Sequence, residues 1–262
     1  MYVLSMLLFG TNGYLVSHIS LQSSQIVLVR TLIGGILLSA MVLLQNDFTF
    51  SRIKPELRNL LAGGIALGLN WVALFAAYRM LNVSLATLIY YAGPMLVLLF
   101  SPWLFREALT KRKLTAIIIV AVGLLCITGS IAAGKLSMAG LVTAVGSALF
   151  YAALIVFNKR IKNTGGLQTA AIELDVAFVV VLLYVLFSSG FSYPLATDIP
   201  YLLTIGLLNT GLAYFLYFSS MQRLPAQSVA LISYIDPVSA LLFSAWLLNE
   251  NMTLLQIAGA VY

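Results

Sequence analysis

Charge is the first thing this sequence lacks. Only 8% of its 262 residues are charged, whereas 61% are hydrophobic. Soluble domains carry about a quarter charged residues, so this composition excludes an ordinary soluble protein and predicts a chain that lies in lipid. A hydrocarbon core about 30 Å thick needs roughly 20 apolar residues per helix, which leaves room for about ten spans and for no soluble domain between them.

Cysteine and histidine are also scarce. The sequence has one cysteine, Cys126, and one histidine, His18. It contains no His-Glu-x-x-His zinc motif, no Gly-x-Ser-x-Gly nucleophile motif and no Walker-type phosphate loop. The single cysteine excludes an internal disulfide. We therefore expect no enzyme, no direct use of ATP, no cofactor and no metal site.

What the sequence does contain is an internal repeat with an offset of 143 residues. Leu81 to Thr110 aligns with Leu224 to Thr253 without a gap, and proline, tryptophan and glutamate are among the shared residues. The matched pairs are Leu81/Leu224, Leu88/Leu231, Tyr91/Tyr234, Pro94/Pro237, Phe100/Phe243, Ser101/Ser244, Trp103/Trp246, Glu107/Glu250 and Thr110/Thr253. Secondary transporters are often built from such duplicated membrane units. The repeat predicts two five-helix units, residues 1–131 and 132–262.

Ten apolar stretches are predicted to span the membrane. They cover about residues 2–17, 25–44, 60–80, 84–104, 114–131, 137–157, 168–188, 200–221 and 228–248, with a last one that begins near Thr253. Fewer residues follow Thr253 than a span needs, so we expect the last helix to be incomplete in this sequence.

The distribution of positive charge predicts the orientation. Eleven of the fourteen lysines and arginines fall in the loops after spans two, four, six and eight. These loops should be cytoplasmic, which places both termini inside the cell. Because each repeat has an odd number of spans, the second one enters the membrane from the opposite side. The predicted fold class is an all-α polytopic membrane protein of ten helices in two inverted repeats.

Short motifs along the chain resemble those of a known family. They are Phe9-Gly10-Thr11-Asn12, Arg30, Tyr91-Ala92-Gly93-Pro94, Glu107-Ala108-Leu109-Thr110, Tyr234-Ile235-Asp236-Pro237 and Glu250-Asn251-Met252-Thr253. In order and spacing the chain resembles the drug/metabolite transporter superfamily, and within it the EamA-type transporters. The resemblance covers nearly the whole chain. It implies an inner-membrane carrier, often an exporter of amino acids or other small metabolites, with a central cavity formed by helices one, three, four, six, eight and nine.

Asp236 is the strongest functional candidate. It lies near the middle of the ninth span, directly before Pro237. A carboxylate at that depth costs several kcal/mol unless it is paired, protonated or hydrated, so such residues usually mark a substrate or proton path. Proline frees a backbone carbonyl, and we expect Pro94 and Pro237 to be the gating positions. A purely structural role for Asp236, bonding a neighbouring helix, is the alternative.

Polar and aromatic side chains on six spans are predicted to face the same cavity. The predicted substrate-binding residues are Asn12, Asn70, Trp71, Tyr90, Tyr91, Ser147, Tyr151, Asn209, Tyr217, Tyr234 and Asp236. Tyrosine rings can stack on a ligand or on its cationic group. Serine and threonine can equally bond their own helix, so a structural role explains any one of them as well.

The candidates for coupling transport to an ion are Asp236, Glu173 and Asp175. Glu173 and Asp175 lie about two turns into the seventh span, from where they could instead reach the membrane interface. Arg30 precedes Glu173 by one repeat length and either has a function or extends its side chain to the interface.

Glu107 and Glu250 each precede a predicted helix. An acidic side chain there suits the positive end of the helix dipole, so we predict a structural role for both.

These observations predict a secondary transporter that moves an amino acid-like zwitterion or an organic cation, as an exporter, by alternating access. No inward arginine or lysine is evident that would favour an anion. A channel-like facilitator and, less favoured, an intramembrane enzyme are the alternatives. The expected partners are a small-molecule substrate, the lipid bilayer and a proton or other coupling ion, with no nucleic acid, in a monomer or homodimer.

Overall fold

The chain is described by a computed structural model that covers residues 1–45, 50–81, 83–108, 110–111, 114–115, 118–119, 121–122, 137–188 and 190–248. None of these residues lies in a β-strand. The α-helices are α1 (Tyr2–Gly10), α2 (Asn12–Ser17), α3 (Ser23–Leu44), α4 (Phe50–Ile53), α5 (Leu57–Met80), α6 (Val83–Tyr90), α7 (Ala92–Phe105), α8 (Met138–Arg160), α9 (Gly166–Ser188), α10 (Ile199–Thr204), α11 (Ala213–Met221), α12 (Ala226–Ile232) and α13 (Ile235–Leu247). Short 3₁₀ turns cover Lys54–Glu56 and Ala196–Asp198, and a π-helix covers Ile205–Leu212.

Seven helical stretches of the described residues are long and apolar enough to cross a membrane. They are Ser23–Leu44, Phe50–Met80, Leu85–Phe105, Met138–Arg160, Gly166–Ser188, Ala196–Met221 and Ala226–Leu247. The predicted fifth and tenth spans, with Cys126 and Glu250, lie mostly or wholly outside the described residues. The protein is thus a multi-pass helical membrane protein.

The fourth and ninth predicted spans are each broken near the middle. The first of them is interrupted at Tyr91, between α6 and α7, and the second at Ser233–Tyr234, between α12 and α13. Each break lies three or four residues before a proline, Pro94 or Pro237, where the missing N–H and the ring disrupt the preceding helical turn. The predicted disruption at the two prolines is therefore present in the structure.

The first predicted span, residues 2–17, is not one continuous helix. It is interrupted at Thr11, which separates α1 from α2. The eighth span is distorted as well, because it widens into the π-helix, where the Thr210 hydroxyl donates to the Ile205 carbonyl five residues earlier at 2.8 Å. Such π-segments occur often at functional sites.

Close backbone packing holds the scaffold together. α5 packs on α8 and on α9, and α9 also packs on α3. A Cβ added to Gly64 would lie 2.6 Å from the Cβ of Val176, and one added to Gly68 would lie 2.7 Å from the Cβ of Val180. Small residues permit this approach where lipid provides no hydrophobic drive for helices to associate.

The two broken spans approach one another unequally. At one end of the molecule α7 packs along α12, with Leu98 buried against Ala230. At the other end α6 packs on α5 and α8, whereas α13 packs on α1 and α2. Within the described residues α6 and α13 form no comparable contact, so the bundle is tighter at the α7–α12 end.

Candidate functional site

The two helix breaks meet in the interior. The Tyr91 hydroxyl donates to the Asp236 carboxylate at 3.2 Å, and the Tyr234 hydroxyl donates to the Tyr91 carbonyl at 2.7 Å. Tyr91 and Tyr234 occupy equivalent positions in the repeat. The carbonyl of Tyr91 lies at the break between α6 and α7. The hydroxyl of Tyr234, at the break between α12 and α13, therefore satisfies a backbone acceptor of the other broken span.

Tyrosine rings line the space beside Asp236. Tyr90 stacks on Tyr151 with ring centroids 5.1 Å apart, and it contacts Tyr91 edge-on at 5.0 Å. Tyr91 and Tyr151 are buried, but Tyr90 and Asp236 are partly exposed. A partly exposed carboxylate among aromatic rings can meet a ligand that carries a positive charge.

The carboxylate has no equivalent in the first repeat because of local packing. The position equivalent to Asp236 is Gly93. A Cβ on Gly93 would lie 2.8 Å from the Ala148 carbonyl oxygen and 3.0 Å from the Cβ of Tyr151. α7 therefore approaches α8 too closely for a side chain there, and the site is asymmetric.

Arg30 faces the same interior, which corrects the expectation that no arginine does. It is only 8% exposed, and its guanidinium carbon lies 4.8 Å from the centroid of the Trp71 ring. The guanidinium lies within electrostatic range of Asp236 and shares a hydrogen bond with the side chain of Tyr214, but its Nε has no hydrogen-bond partner among the described residues. A buried guanidinium N–H without a partner is uncommon and is available to an anionic group.

A second series of aromatic rings connects Arg30 to the start of the chain. Trp71 contacts Tyr214 edge-on at 5.8 Å, Tyr214 contacts Tyr217 at 5.9 Å, and Tyr217 stacks on Tyr2 at 5.2 Å. The Tyr2 hydroxyl lies 2.9 Å from the hydroxyl of Ser233, next to the break between α12 and α13. Of these residues Trp71 and Tyr217 were predicted, whereas Tyr2 and Tyr214 were missed because apolar neighbours surround them in the sequence.

Four other predicted substrate-binding residues bond to protein groups. Asn70 donates through Nδ2 to the Ser147 carbonyl at 2.8 Å, which joins α5 to α8. Asn209 donates through Nδ2 to the Leu8 carbonyl at 2.7 Å and to the Asn12 side chain at 3.1 Å, which joins the π-helix to the break between α1 and α2. A substrate role for Asn12, Asn70, Ser147 and Asn209 stays a prediction.

The two other coupling candidates are not brought together with Asp236. Glu173 is fully buried, and both its carboxylate oxygens accept from Nδ2 of Asn158 at 2.9 Å. Asp175 is exposed on the outside of the bundle, where it accepts from Ser39 at 2.7 Å. The three acids lie in three different environments.

A comparison with known proteins decides the family. The profile of the EamA-like transporter family matches residues 1–129 and 138–262. The chain belongs to the EamA-like transporter family. It is 28% identical over 263 residues to the uncharacterized transporter YxxF of Bacillus subtilis, a match that covers 99% of this chain and 84% of that protein. It is also 28% identical over 229 residues to a probable amino-acid metabolite efflux pump of Salmonella typhimurium, with 82% of this chain and 76% of that protein covered.

A solved crystal structure shares the fold of this EamA-like protein. The two match with a TM-score of 0.86 at 18% identity, over 98% of this chain and 90% of the other. The family and the names of the relatives identify the chain as a membrane transporter and not as an enzyme. Among the described residues no three His, Cys, Asp or Glu side chains are grouped so that they could hold a metal ion.

Glu107 shows how this EamA-like fold uses an acidic residue at the end of a span. Its carboxylate accepts from the backbone N–H groups of Ala226 at 2.7 Å and Gln227 at 3.1 Å, at the start of α12. The predicted structural role at a helix N-terminus is confirmed, but the helix belongs to the second repeat and does not directly follow Glu107. Sequence order alone gives no signal for this contact, which spans 119 residues.

Proposed function

We propose that this protein is a secondary transporter that exports a small zwitterion resembling an amino acid. The proposed architecture is two inverted five-helix repeats, residues 1–131 and 132–262. The proposed location is the inner cell membrane, with both termini in the cytoplasm. Labelling of a cysteine introduced at Ser192, from outside intact cells, tests this orientation. The two separate matches of the family profile support the division into repeats.

The proposed substrate class rests on one observation, namely that Asp236 and Arg30, which have opposite charges, both face the interior of the helix bundle. Asp236 can meet an ammonium group, and Arg30, with its unpartnered Nε, can meet a carboxylate. The tyrosines between them offer ring faces and hydroxyls to the rest of the ligand. A lone organic cation would leave the buried Nε of Arg30 without an acceptor, so a zwitterion suits the site better.

Alternating access is the mechanism that the packing supports. α7 and α12 close the interior at one end, and α6 and α13 are apart at the other. Rocking of the repeats about the breaks at Pro94 and Pro237 would exchange the closed and open ends. By the charge of the loops, the closed end is cytoplasmic, so this conformation faces outward.

The proposed direction of transport rests on a relative, and the proposed coupling ion rests on the charge of Asp236. Export is supported by the relative named as a probable amino-acid metabolite efflux pump. A proton is the coupling ion that Asp236 would carry, because a carboxylate that binds either a proton or an ammonium group exchanges one for the other.

The test is a thermal-shift screen of the purified protein in detergent, since a ligand that binds the folded state stabilises it by mass action. Each amino acid that raises the melting temperature is compared with its amide, which lacks the carboxylate charge, and with its N-acetyl form, which lacks the ammonium charge. We expect the wild type to respond to the zwitterion, with Asp236→Asn and Arg30→Gln each losing that response. Asp175→Asn, which removes an exposed carboxylate elsewhere in the membrane, is the matched control.

The variants distinguish the possible substrates. A response to amides that survives Arg30→Gln but not Asp236→Asn would replace the zwitterion with an organic cation, the second candidate, which the stacked tyrosines favour. Binding of zwitterions that survives Asp236→Asn would remove this carboxylate from the site. Gel filtration confirms that each variant is folded before its response is compared.

A further inference from the structure

A cavity opens at the end of the molecule where α1 begins and α11 ends, and Tyr2, the last ring of the aromatic series that starts beside Arg30, is among its lining residues. Its volume is about 1150 Å³. Four basic residues line it, namely Arg52, Lys159, Lys162 and Arg223, and no aspartate or glutamate is among its described lining residues. We call this space the basic cavity. The preference for positive loops on one side of a membrane explains the number of these residues, but not their convergence on one concave surface.

The wall of the basic cavity is held in place by a buried acid outside it. Glu56 is 6% exposed and accepts through Oε1 from the backbone N–H groups of Lys162 at 3.1 Å and Asn163 at 3.2 Å. The side-chain amide of Asn163 donates to the same oxygen at 2.9 Å. The carboxylate of Glu56 thus fixes the loop between α8 and α9.

Lys159 is fixed as well. Its Nζ donates to the carbonyl groups of Met221 and Leu224, at 3.3 and 2.5 Å, and its charge interacts with Glu107. The side chains of Arg52, Lys162 and Arg223 are exposed. Three basic groups are therefore free to converge on a ligand from a wall that the structure holds rigid.

Two buried hydroxyls in the wall form no hydrogen bond to the described residues. Thr164 is 2% exposed, and its Oγ1 has no hydrogen-bond partner within the part of the chain that the structure describes. The buried Oγ of Ser220 likewise lacks a partner among the described residues, and both residues line the basic cavity. Buried hydroxyls in folded proteins nearly always have a hydrogen-bond partner. Two unpartnered hydroxyls beside four basic side chains therefore indicate a binding site for a ligand that has hydrogen-bond acceptors.

We propose that the basic cavity binds an anion that carries a phosphate group. A phosphate offers enough oxygens to accept from guanidinium groups and from hydroxyls at once. Apolar residues, among them Val3, Phe215 and Ile232, line the same space, so it can also hold the hydrocarbon part of an anionic phospholipid. The chemistry is the same for a lipid headgroup and for a soluble phosphate ester. This inference does not depend on the proposed substrate.

The test measures the melting temperature of delipidated protein in a neutral detergent. The probes are short-chain phosphatidylglycerol, phosphatidylcholine with the same acyl chains, glycerol phosphate and inorganic phosphate. We expect phosphatidylglycerol to raise the melting temperature by at least about 2 °C more than phosphatidylcholine does. An equal rise with glycerol phosphate would also support the site and would assign it to a soluble ester. No rise with phosphatidylglycerol, glycerol phosphate or inorganic phosphate would overturn the proposal.

Matched variants separate this site from general attraction to a positive surface. The double variant Arg52→Gln/Arg223→Gln should lose the response, whereas Lys54→Gln/Arg58→Gln, which removes two exposed charges that do not line the cavity, should keep it. Equal loss in both would contradict a defined site.

Thr164→Val tests the orphan hydroxyl alone. It should raise the melting temperature of the ligand-free protein, because a buried hydroxyl without a partner is removed, and should weaken the response to the anion. A full response in Thr164→Val would overturn the assignment of that hydroxyl to the site.

Discussion

At the scale of single residues, the surroundings of each acidic side chain decide what it can do. Asp236 is partly exposed to the interior and accepts from Tyr91, so it is open to a ligand. Both carboxylate oxygens of Glu107 accept hydrogen bonds from backbone N–H groups at the start of α12. Asp175 lies on the outside of the bundle with Ser39. Sequence position shows that all three are near or within spans, but only the fold shows which of them faces the tyrosine rings in the interior.

Glu173 is predicted to tolerate replacement by its neutral amide. Among the described residues it bonds only to Asn158, whose Oδ1 is buried without a partner. A charged carboxylate in such a place would lack a cation, which is costly. In Glu173→Gln the new N–H groups can donate to that orphan oxygen, so we expect a melting temperature equal to or above that of the wild type.

Glu173→Leu is the control for this prediction. It keeps the volume but leaves the Asn158 amide without an acceptor, which costs about 1–3 kcal/mol. A drop in melting temperature as large in Glu173→Gln as in Glu173→Leu would mean that the charged form of Glu173 is needed.

At the scale of helices, the sequence predicted the breaks that proline causes and missed those that tertiary contacts cause. Pro94 and Pro237 carry their own signal because proline cannot donate to the helical turn before it. The break at Thr11 has no such local cause. It is bonded instead by Asn209, which is distant in the chain and belongs to a π-helix that no residue pattern revealed.

Asn209→Ala is predicted to destabilise the protein through these two irregular segments. Its amide is shared among the Leu8 carbonyl, the Thr11 hydroxyl and the Asn12 side chain. Removing it deletes the contacts that join the π-helix to the Thr11 break, although the Leu8 carbonyl still accepts from the N–H and the hydroxyl of Thr11. We expect a loss of about 1–3 kcal/mol, measured as a lower melting temperature. Thr204→Ala, which removes a bond only to its own helix, should change little. Equal effects would show that the Asn209 contacts do not hold the break.

At the scale of the whole molecule, the internal repeat can be read from the sequence, but the arrangement of α6, α7, α12 and α13 cannot. The repeat alone does not indicate which end of the bundle is closed. The structure places α7 on α12 and separates α6 from α13 within the described residues. Arg30 illustrates the same limit, because an arginine near the start of a span can extend to the interface or fold inward, and only the position of Trp71 decides which.

The unequal packing predicts that a covalent bond across the closed end blocks transport. Leu98 in α7 and Ala230 in α12 are buried against each other, so cysteines at both positions in a Cys126→Ala background should be joined by an oxidant or a short thiol-reactive linker. If the α7–α12 contact must open during each cycle, the joined protein binds substrate from one side only and stops transporting, and reduction restores the rate. Each single-cysteine variant controls for the substitutions. Undiminished transport in fully joined protein, measured in proteoliposomes, would contradict alternating access at this contact and would favour a channel-like path that never closes there.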